Sequence, residues 1–429
     1  MIFAIGMIYF ERKNMIRNKG GFMLWFKNFN KKRIGVLILI SFLIFVGIGC
    51  NTDKIPSESQ QVQSISQEQK SPRIEKVTIA AVGDIMVHSP QFRSAYIGGK
   101  QKYDFYPVFQ PIEKYIQQAD IAIANLETTF AGEQEGYSGY PMFNSPQQLG
   151  QALKQTGFDV ITTANNHCLD RRTDGLKSTL NFLDSYGLDH TGTARNQEER
   201  NKILIKKINN INIAFLAYTY GTNGIPVPEE EPYLVNLAKK EQIALDIQKA
   251  KQQKADMIVV SMHFGNEYQR EESQEQKEWV DFLLKQGVDV ILGSHPHVLQ
   301  RMEIRKVHTI DGKDKDAFLI YSLGNFLSNQ RDRYKDSGVI LQISFEKNFD
   351  TGKTSLQKVE YIPTWVDKSN VNGKIYYHIL AVEQAISQYQ LGENEMLSES
   401  DYELLQRTWK DTTELLQQDN EKMVIKTLK

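Results

Sequence analysis

From Lys76 onward the chain repeats one pattern: a short run of β-branched and apolar residues that stops abruptly at polar ones. VTIAAV (77–82) stops at Gly83-Asp84, and DIAIA (120–124) at Asn125-Leu126-Glu127. DVITTA (159–164) stops at Asn165-Asn166-His167, and ADMIVVSM (255–262) at His263-Phe264-Gly265. VDVILG (288–293) stops at Ser294-His295-Pro296-His297, and AFLIYSL (317–323) at Gly324-Asn325-Phe326. Runs that are apolar without alternation predict strands covered on both faces. Between them, 146–156, 174–186, 239–253 and 273–286 read as helices; in the last, Trp279, Phe282, Leu283 and Gln286 recur at helical spacing. Strands alternating with helices predict a layered α/β domain. Further on, 339–345, 357–364 and 375–379 read as antiparallel strands, and beyond Leu380 the chain turns Gln- and Glu-rich and helical.

The N-terminus follows other rules. Ile34–Gly49 is 16 uncharged, mostly apolar residues, preceded by Lys31, Lys32 and Arg33 and followed by Cys50. As a helix it would span about 24 Å, short of a hydrocarbon core of about 30 Å. A basic region, an apolar region and small residues before a cysteine read as a secretory signal. Gly-Ile-Gly-Cys resembles a bacterial lipobox, in which the cysteine becomes the lipidated first residue; Gly47 departs from the leucine preferred there. An uncleaved single anchor at the N-terminus is the alternative. Either way the remainder is expected outside the cytoplasm, held at the cell membrane. Met23 is the expected start of translation, which makes the signal compact. Residues 51–73, rich in Ser, Gln, Glu and Lys, read as a tether too polar to order itself. The expected divisions are a leader over 1–49, a disordered tether over 50–74, a main domain over 75–378 and a helical extension over 379–429.

Charge narrows the partners. Of 51 basic and 52 acidic residues, the first 49 positions hold 8 and 1, which leaves 43 and 51 in the body. An acidic body excludes nucleic acid, or any polyanion held by bulk charge. Beyond Cys50 the only cysteine is Cys168, so no disulfide framework exists. Cys168 reads as a small packing residue rather than a nucleophile.

The six strand ends share one chemistry. Ligand sites in open α/β sheets gather at the carboxyl ends of strands. Carboxylates, an amide oxygen and imidazoles make a mixed O/N ligand set suited to Mn, Fe or Zn. Thiolates are missing from it, which argues against a structural cysteine-type zinc site. A carboxylate shared by two cations about 3.5–4 Å apart can lower the pKa of a water, and a separate histidine can protonate a leaving group. Residues two apart in a strand share a side, so His295 and His297 are expected to face one cavity, with Pro296 stiffening the bend.

The motifs GDIMVH, ANLETT, TANNHCLD, HFGNEY, GSHPHVLQ and YSLGNF, in that order over about 76–346, resemble the CapA family of poly-γ-glutamate capsule synthesis proteins, within the calcineurin-like metallophosphatase superfamily. The resemblance implies a four-layer αββα sandwich, two packed sheets flanked by helices. It implies two divalent metal ions, with Asp84 as first metal-binding carboxylate and Glu127 in the place of a bridging Asp. Asn166 is implied as an amide ligand, His263 as a lone histidine ligand, and His295 and His297 as ligands split between the two ions. His167 resembles the histidine that acts as acid or transition-state stabiliser. His88 lies four residues after the first Asp, where the superfamily has a histidine two after, so it reads as a ligand or a loop residue. Asn325 reads as an amide that orients a site histidine. Arg171 and Arg172 read as a solvated turn or a cationic contact. His190, His308 and His378 belong to no motif.

Two functional readings follow. One is a metal-dependent hydrolase of a phosphoester, or of an amide in a polyglutamate or cell-wall polymer. The other is a non-catalytic assembly or export component that binds the anionic polymer or capsule synthesis proteins. The metallophosphatase link alone does not fix a substrate.

Overall fold

The computed structural model describes residues 72–429 apart from 101, 395, 418–419 and 427–429. The leader, the tether up to residue 71, Met23 and Cys50 lie outside the described residues. Two sheets form the frame. The larger runs, in spatial order, Lys374–Ala381, Lys353–Val371, Ser337–Asn348, Ile74–Ile85, Ile121–Leu126, Val160–Thr162 and Asp189–Thr191. Its central strand, Ile74–Ile85, pairs parallel with Ile121–Leu126 and antiparallel with Ser337–Asn348. The smaller sheet runs Met302–His308, Asp314–Ile320, Val290–Ser294, Met257–His263, Ile211–Thr219 and Leu204–Ile208. Its four inner strands are parallel.

Three apolar clusters set the layers. Val77, Ile79 and Ala81 point one way from the central strand and meet Phe215, Val259, Val290 and Phe318 of the smaller sheet. Ala80 and Val82 point the other way, against Phe109, Leu149, Leu153, Leu176 and Leu180 of the helices. On the far side of the smaller sheet, Val260 and Ile291 pack on Ile243, Ile247, Val280 and Leu283 from the helices Lys240–Gln252 and Gln274–Lys285. A strand buried on both faces needs apolar residues at odd and even positions alike, which is why these runs lack alternation. The result is helix, sheet, sheet, helix, as anticipated.

Helix boundaries follow local chemistry. Ser273 accepts from the Gln276 N–H, and the Gln276 side chain returns to the Ser273 N–H, so Gln274–Lys285 begins with a capping box. Gln148–Thr156 ends at Gly157 with φ +111°, a left-handed position suited to glycine.

The C-terminal segment is partly as expected. Val382–Gln390 and Glu399–Leu416 are helices, but Met423–Ile425 returns to pair with Lys353–Val371 in the large sheet. The expected division at 378 falls inside the strand Lys374–Ala381. Among the described residues no helix is long and apolar enough to cross a membrane.

Candidate metal centre

The parallel strands of both sheets end on one side, and their ends build one buried site. Asp84 lies in register with Asn125 on one neighbour and Asn325 on the other. Ser294 lies opposite His263, and Thr219 opposite His263 on its other flank. Two glycines make the approach of these strands feasible. A Cβ on Gly83 would meet the Gly324 carbonyl oxygen at 2.0 Å, and one on Gly293 would meet the Tyr321 oxygen at 1.9 Å. The glycines of the GD and GSHPH motifs are therefore demanded by backbone contact.

Asp84, Glu127, Asn166, His263, His295 and His297 are all buried and converge. Asp84 Oδ2 lies 3.0 Å from His297 Nδ1 and also accepts from the His295 N–H at 3.3 Å. Glu127 Oε1 lies 3.6 Å from both His263 Nε2 and His297 Nε2. Asn166 Oδ1 lies 2.9 Å from His263 Nε2. The His263 and His295 rings are 4.8 Å apart, and those of His295 and His297 5.9 Å apart.

The histidine pair gets there by a different route from strand alternation. The strand ends at Ser294, and His295 and His297 adopt φ of +100° and +57°. Both are left-handed, a strained state for histidine that persists where surrounding contacts enforce it. The turn, rather than the two-residue strand repeat, aims both imidazoles inward.

Electrostatics agree with a site that expects a cation. Burial works against a charged Asp84, but bonds from His297, Asn125 and the His295 backbone outweigh it and hold the carboxyl below its usual range. Burial, then the adjacent Asp84 charge, push Glu127 well above the carboxylate range. Burial pushes His263 well below the usual imidazole range and His295 down to about 3. Glu127 Oε1, His263 Nδ1 and His295 Nδ1 are buried without a hydrogen-bond partner among the described residues. Unpartnered buried acceptors are costly unless a cation or donor meets them.

Three sets of ligand atoms lie within 4.8 Å of one another: Asp84, Glu127 and His297; Glu127, His263 and His295; and Glu267, His295 and His297. Glu127 belongs to two sets and is placed to be shared. The donors are oxygen and imidazole nitrogen, the set that Zn, Mn or Fe takes. The residues present thus fit divalent cations.

His167 stands beside this group and in none of the three sets. Its Nδ1 lies 2.8 Å from Asp170 Oδ2, which also accepts the Phe143 N–H at 2.7 Å. The Phe143 ring meets His167 edge-on at 4.7 Å. His88 also meets Phe143 edge-on, ring centroids 5.3 Å apart, and accepts the Asn329 N–H at Nδ1. Burial lowers its pKa to about 4. His88 belongs to none of the three ligand sets. Asn325 donates to Gln330 and to the Lys335 carbonyl instead of orienting a site imidazole; only its backbone pairs with Asp84. Arg171 bonds Ser138 and the Met142 carbonyl, fixing that loop, and Arg172 is exposed. Cys168 is buried, which pushes its thiol up to about 12 and suits packing.

Four residues of the site escape the motif reading. Asn125 donates Nδ2 to Asp84 Oδ1 at 2.8 Å and to Glu127 Oε2 at 3.3 Å, bridging two buried carboxylates. Asn223 accepts from Asn166 Nδ2 at 3.0 Å and lies 3.4 Å from both His167 nitrogens. Tyr220 packs its ring 4.7 Å from that of His295. Glu267 contributes the third carboxylate. Asn125 and Glu267 stand inside the ANLETT and HFGNEY motifs; Tyr220 and Asn223 follow the apolar run INIAFLAYT, a signal of the same kind as the others.

Parallel strands from two packed sheets, ending in converging carboxylates and imidazoles, define a layered α/β protein with a candidate metal centre. Residues 78–330 match the family described as bacterial capsule synthesis protein PGA_cap, and the chain belongs to that family. It is similar to the capsule biosynthesis protein CapA of Bacillus anthracis, 29% identical over 277 residues, covering 62% of this chain and 63% of the relative. It is also similar to the PGA biosynthesis protein CapA of Bacillus subtilis (strain 168), 27% identical over 275 residues, covering 62% and 69%. The match thus leaves more than a third of the B. anthracis protein unspanned. Among solved structures, the calcineurin-like phosphoesterase YfkN of B. subtilis aligns with TM-score 0.40 and 14% identity, covering 80% of this chain and 99% of that one. The NAD nucleotidase NadN of Haemophilus influenzae aligns with TM-score 0.43 and 13% identity, covering 80% and 61%.

Proposed function

We propose that this chain holds two divalent cations at the strand ends and hydrolyses a phosphoester or amide bond during synthesis of a cell-envelope polymer, poly-γ-glutamate capsule being the first candidate. It would do so outside the cytoplasm, tethered by its N-terminal segment. The observation that carries the reading is Glu127, whose one carboxylate belongs to two ligand sets among buried, unpartnered acceptors.

Asp84 and His297 would hold one cation, His263, His295 and Asn166 the other, and Glu127 both. Bound there, the pair would supply a nucleophilic water at neutral pH and neutralise charge on the substrate oxygens. The chain's own residues do the rest. Asp170 orients the His167 ring through Nδ1, which leaves Nε2 to exchange a proton with a leaving group. Asn223 holds the Asn166 amide so that Oδ1 faces inward. Phe143, itself buried, packs edge-on against both His88 and His167.

A non-catalytic role in assembling or exporting the polymer, with capsule synthesis proteins as partners, is the second reading. It is supported by the names of the two CapA relatives, which speak of biosynthesis rather than hydrolysis. The deciding experiment measures metal content and turnover of a generic phosphodiester before and after chelation. Bound metal with chelator-sensitive turnover supports the hydrolase. No metal and no turnover, with surface polymer still lost on deletion, supports the assembly role.

A further inference from the structure

We propose that Glu267 is itself a ligand of the metal centre: an exposed carboxylate that caps, from the solvent side, the divalent cation held by Asp84 and His297, beside the His295 ring. This rests on the metal reading above and adds to it a residue outside the resemblance-derived ligand set.

The geometry has three parts. First, a Glu267 carboxylate oxygen and nitrogens of His295 and His297 lie within 4.8 Å of one another. Ligands held at about 2.1 Å from one ion lie no more than about 4.2 Å apart, so a small rotation of an exposed, three-torsion side chain closes the set. Second, the loop that carries Glu267 is bolted to the histidine turn. The Phe264 N–H donates to the Ser294 carbonyl at 3.1 Å, and the Tyr268 N–H to the Pro296 carbonyl at 2.7 Å. Tyr268 adopts φ +65°, its hydroxyl accepts from Gln330, and Lys335 Nζ sits 3.9 Å from its ring centroid. A residue next to such an anchor is held over the site. Third, the Glu267 carboxylate hydrogen-bonds the neighbouring Tyr268 hydroxyl and makes no Lys or Arg ion pair among the described residues, while one of its oxygens stays within reach of the His295 and His297 imidazoles.

The placement has a chemical consequence. Asp84 and Glu127 are enclosed, whereas Glu267 stands where an incoming substrate would reach the same cation. An anionic substrate group must displace the Glu267 carboxylate, so this ligand secures the ion at rest and yields on binding.

Calorimetric titration of the metal-free protein with Mn2+ tests this. For wild type, binding of two ions is expected. For Glu267→Gln, one ion should bind about tenfold more weakly, with the other within twofold. Glu267→Asp should fall between them. Because Glu267 is exposed, the metal-free melting temperature of both variants should match wild type; a merely structural role would shift the melt and leave affinity alone. Wild-type affinity for both ions in Glu267→Gln overturns the role of Glu267 while the metal centre stands. Failure of wild type to bind Mn2+ overturns the centre and the cap together.

Discussion

Asn125 Nδ2 lies 2.8 Å from Asp84 Oδ1, across a register pair of the central parallel strands, and the same nitrogen reaches Glu127. Its amide cannot be turned around without loss, because Oδ1 faces the donors Thr162 Oγ1 and Asn165 Nδ2. One neutral amide thereby bridges two buried carboxyls that also hydrogen-bond each other, while the other oxygen of Glu127 reaches His263 and His297.

Asn125→Leu, close in shape but without a donor, should therefore leave the fold intact and weaken Mn2+ binding by about 10- to 100-fold. Calorimetric titration beside a circular dichroism melt checks this. Unchanged affinity would show that the amide only packs.

Metal binding should expel a proton. Burial, then the Asp84 charge, push Glu127 well above its usual range in the metal-free protein, so a proton competes with the metal for this carboxyl. Ligation requires the carboxylate. Titrations in buffers of different ionisation enthalpy should report proton release on metal binding that is lost in Glu127→Gln.

The metal-free protein should lose stability on mild acidification. His88 is held down to about 4 and His295 to about 3, against 6.5 when unfolded. The unfolded chain binds more protons in that window, so these groups stabilise above pH 6.5 and the contribution drains as pH falls toward 4 and then 3. For His88 it is on the order of 3 kcal/mol. Glu127 acts with the opposite sign, its contribution present below 4.5 and lost as pH rises through its raised value. With His263 also depressed, three histidines oppose one carboxyl. Urea midpoints in chelator should be lower at pH 5 than at pH 7; equal midpoints would contradict this balance.

Asp170→Asn should separate chemistry from metal. It removes the carboxylate that orients His167 and accepts the Phe143 N–H. Phosphodiester turnover should fall on the order of 10²-fold while Mn2+ stoichiometry holds.

Most of the frame was legible because a strand buried on both faces must be apolar at every position, and such runs stand out. The runs ending at Asp84, Glu127, His263 and His295 announced themselves by their titratable residues. Ile211–Thr219 is an equally apolar run, but it ends in Tyr220 and Asn223, which support ligands without being typical ones. Asn125 was visible in its motif, yet its role depends on cross-strand register that sequence does not print. The left-handed pair His295 and His297 was not legible either, since positive φ at a residue other than glycine is uncommon and no residue type announces it. Met423–Ile425 is three residues long, too short for any period to show, and joins the large sheet only because the hairpin edge of Lys353–Val371 is there to receive it.

The most direct measurement is the metal content of the purified protein after Mn2+ loading and desalting, compared with Glu127→Gln. A shared carboxylate predicts two ions per wild-type molecule and loss of both, or near loss, when Glu127 is neutralised. Two ions retained by Glu127→Gln, or none in wild type, would contradict a centre built around Glu127.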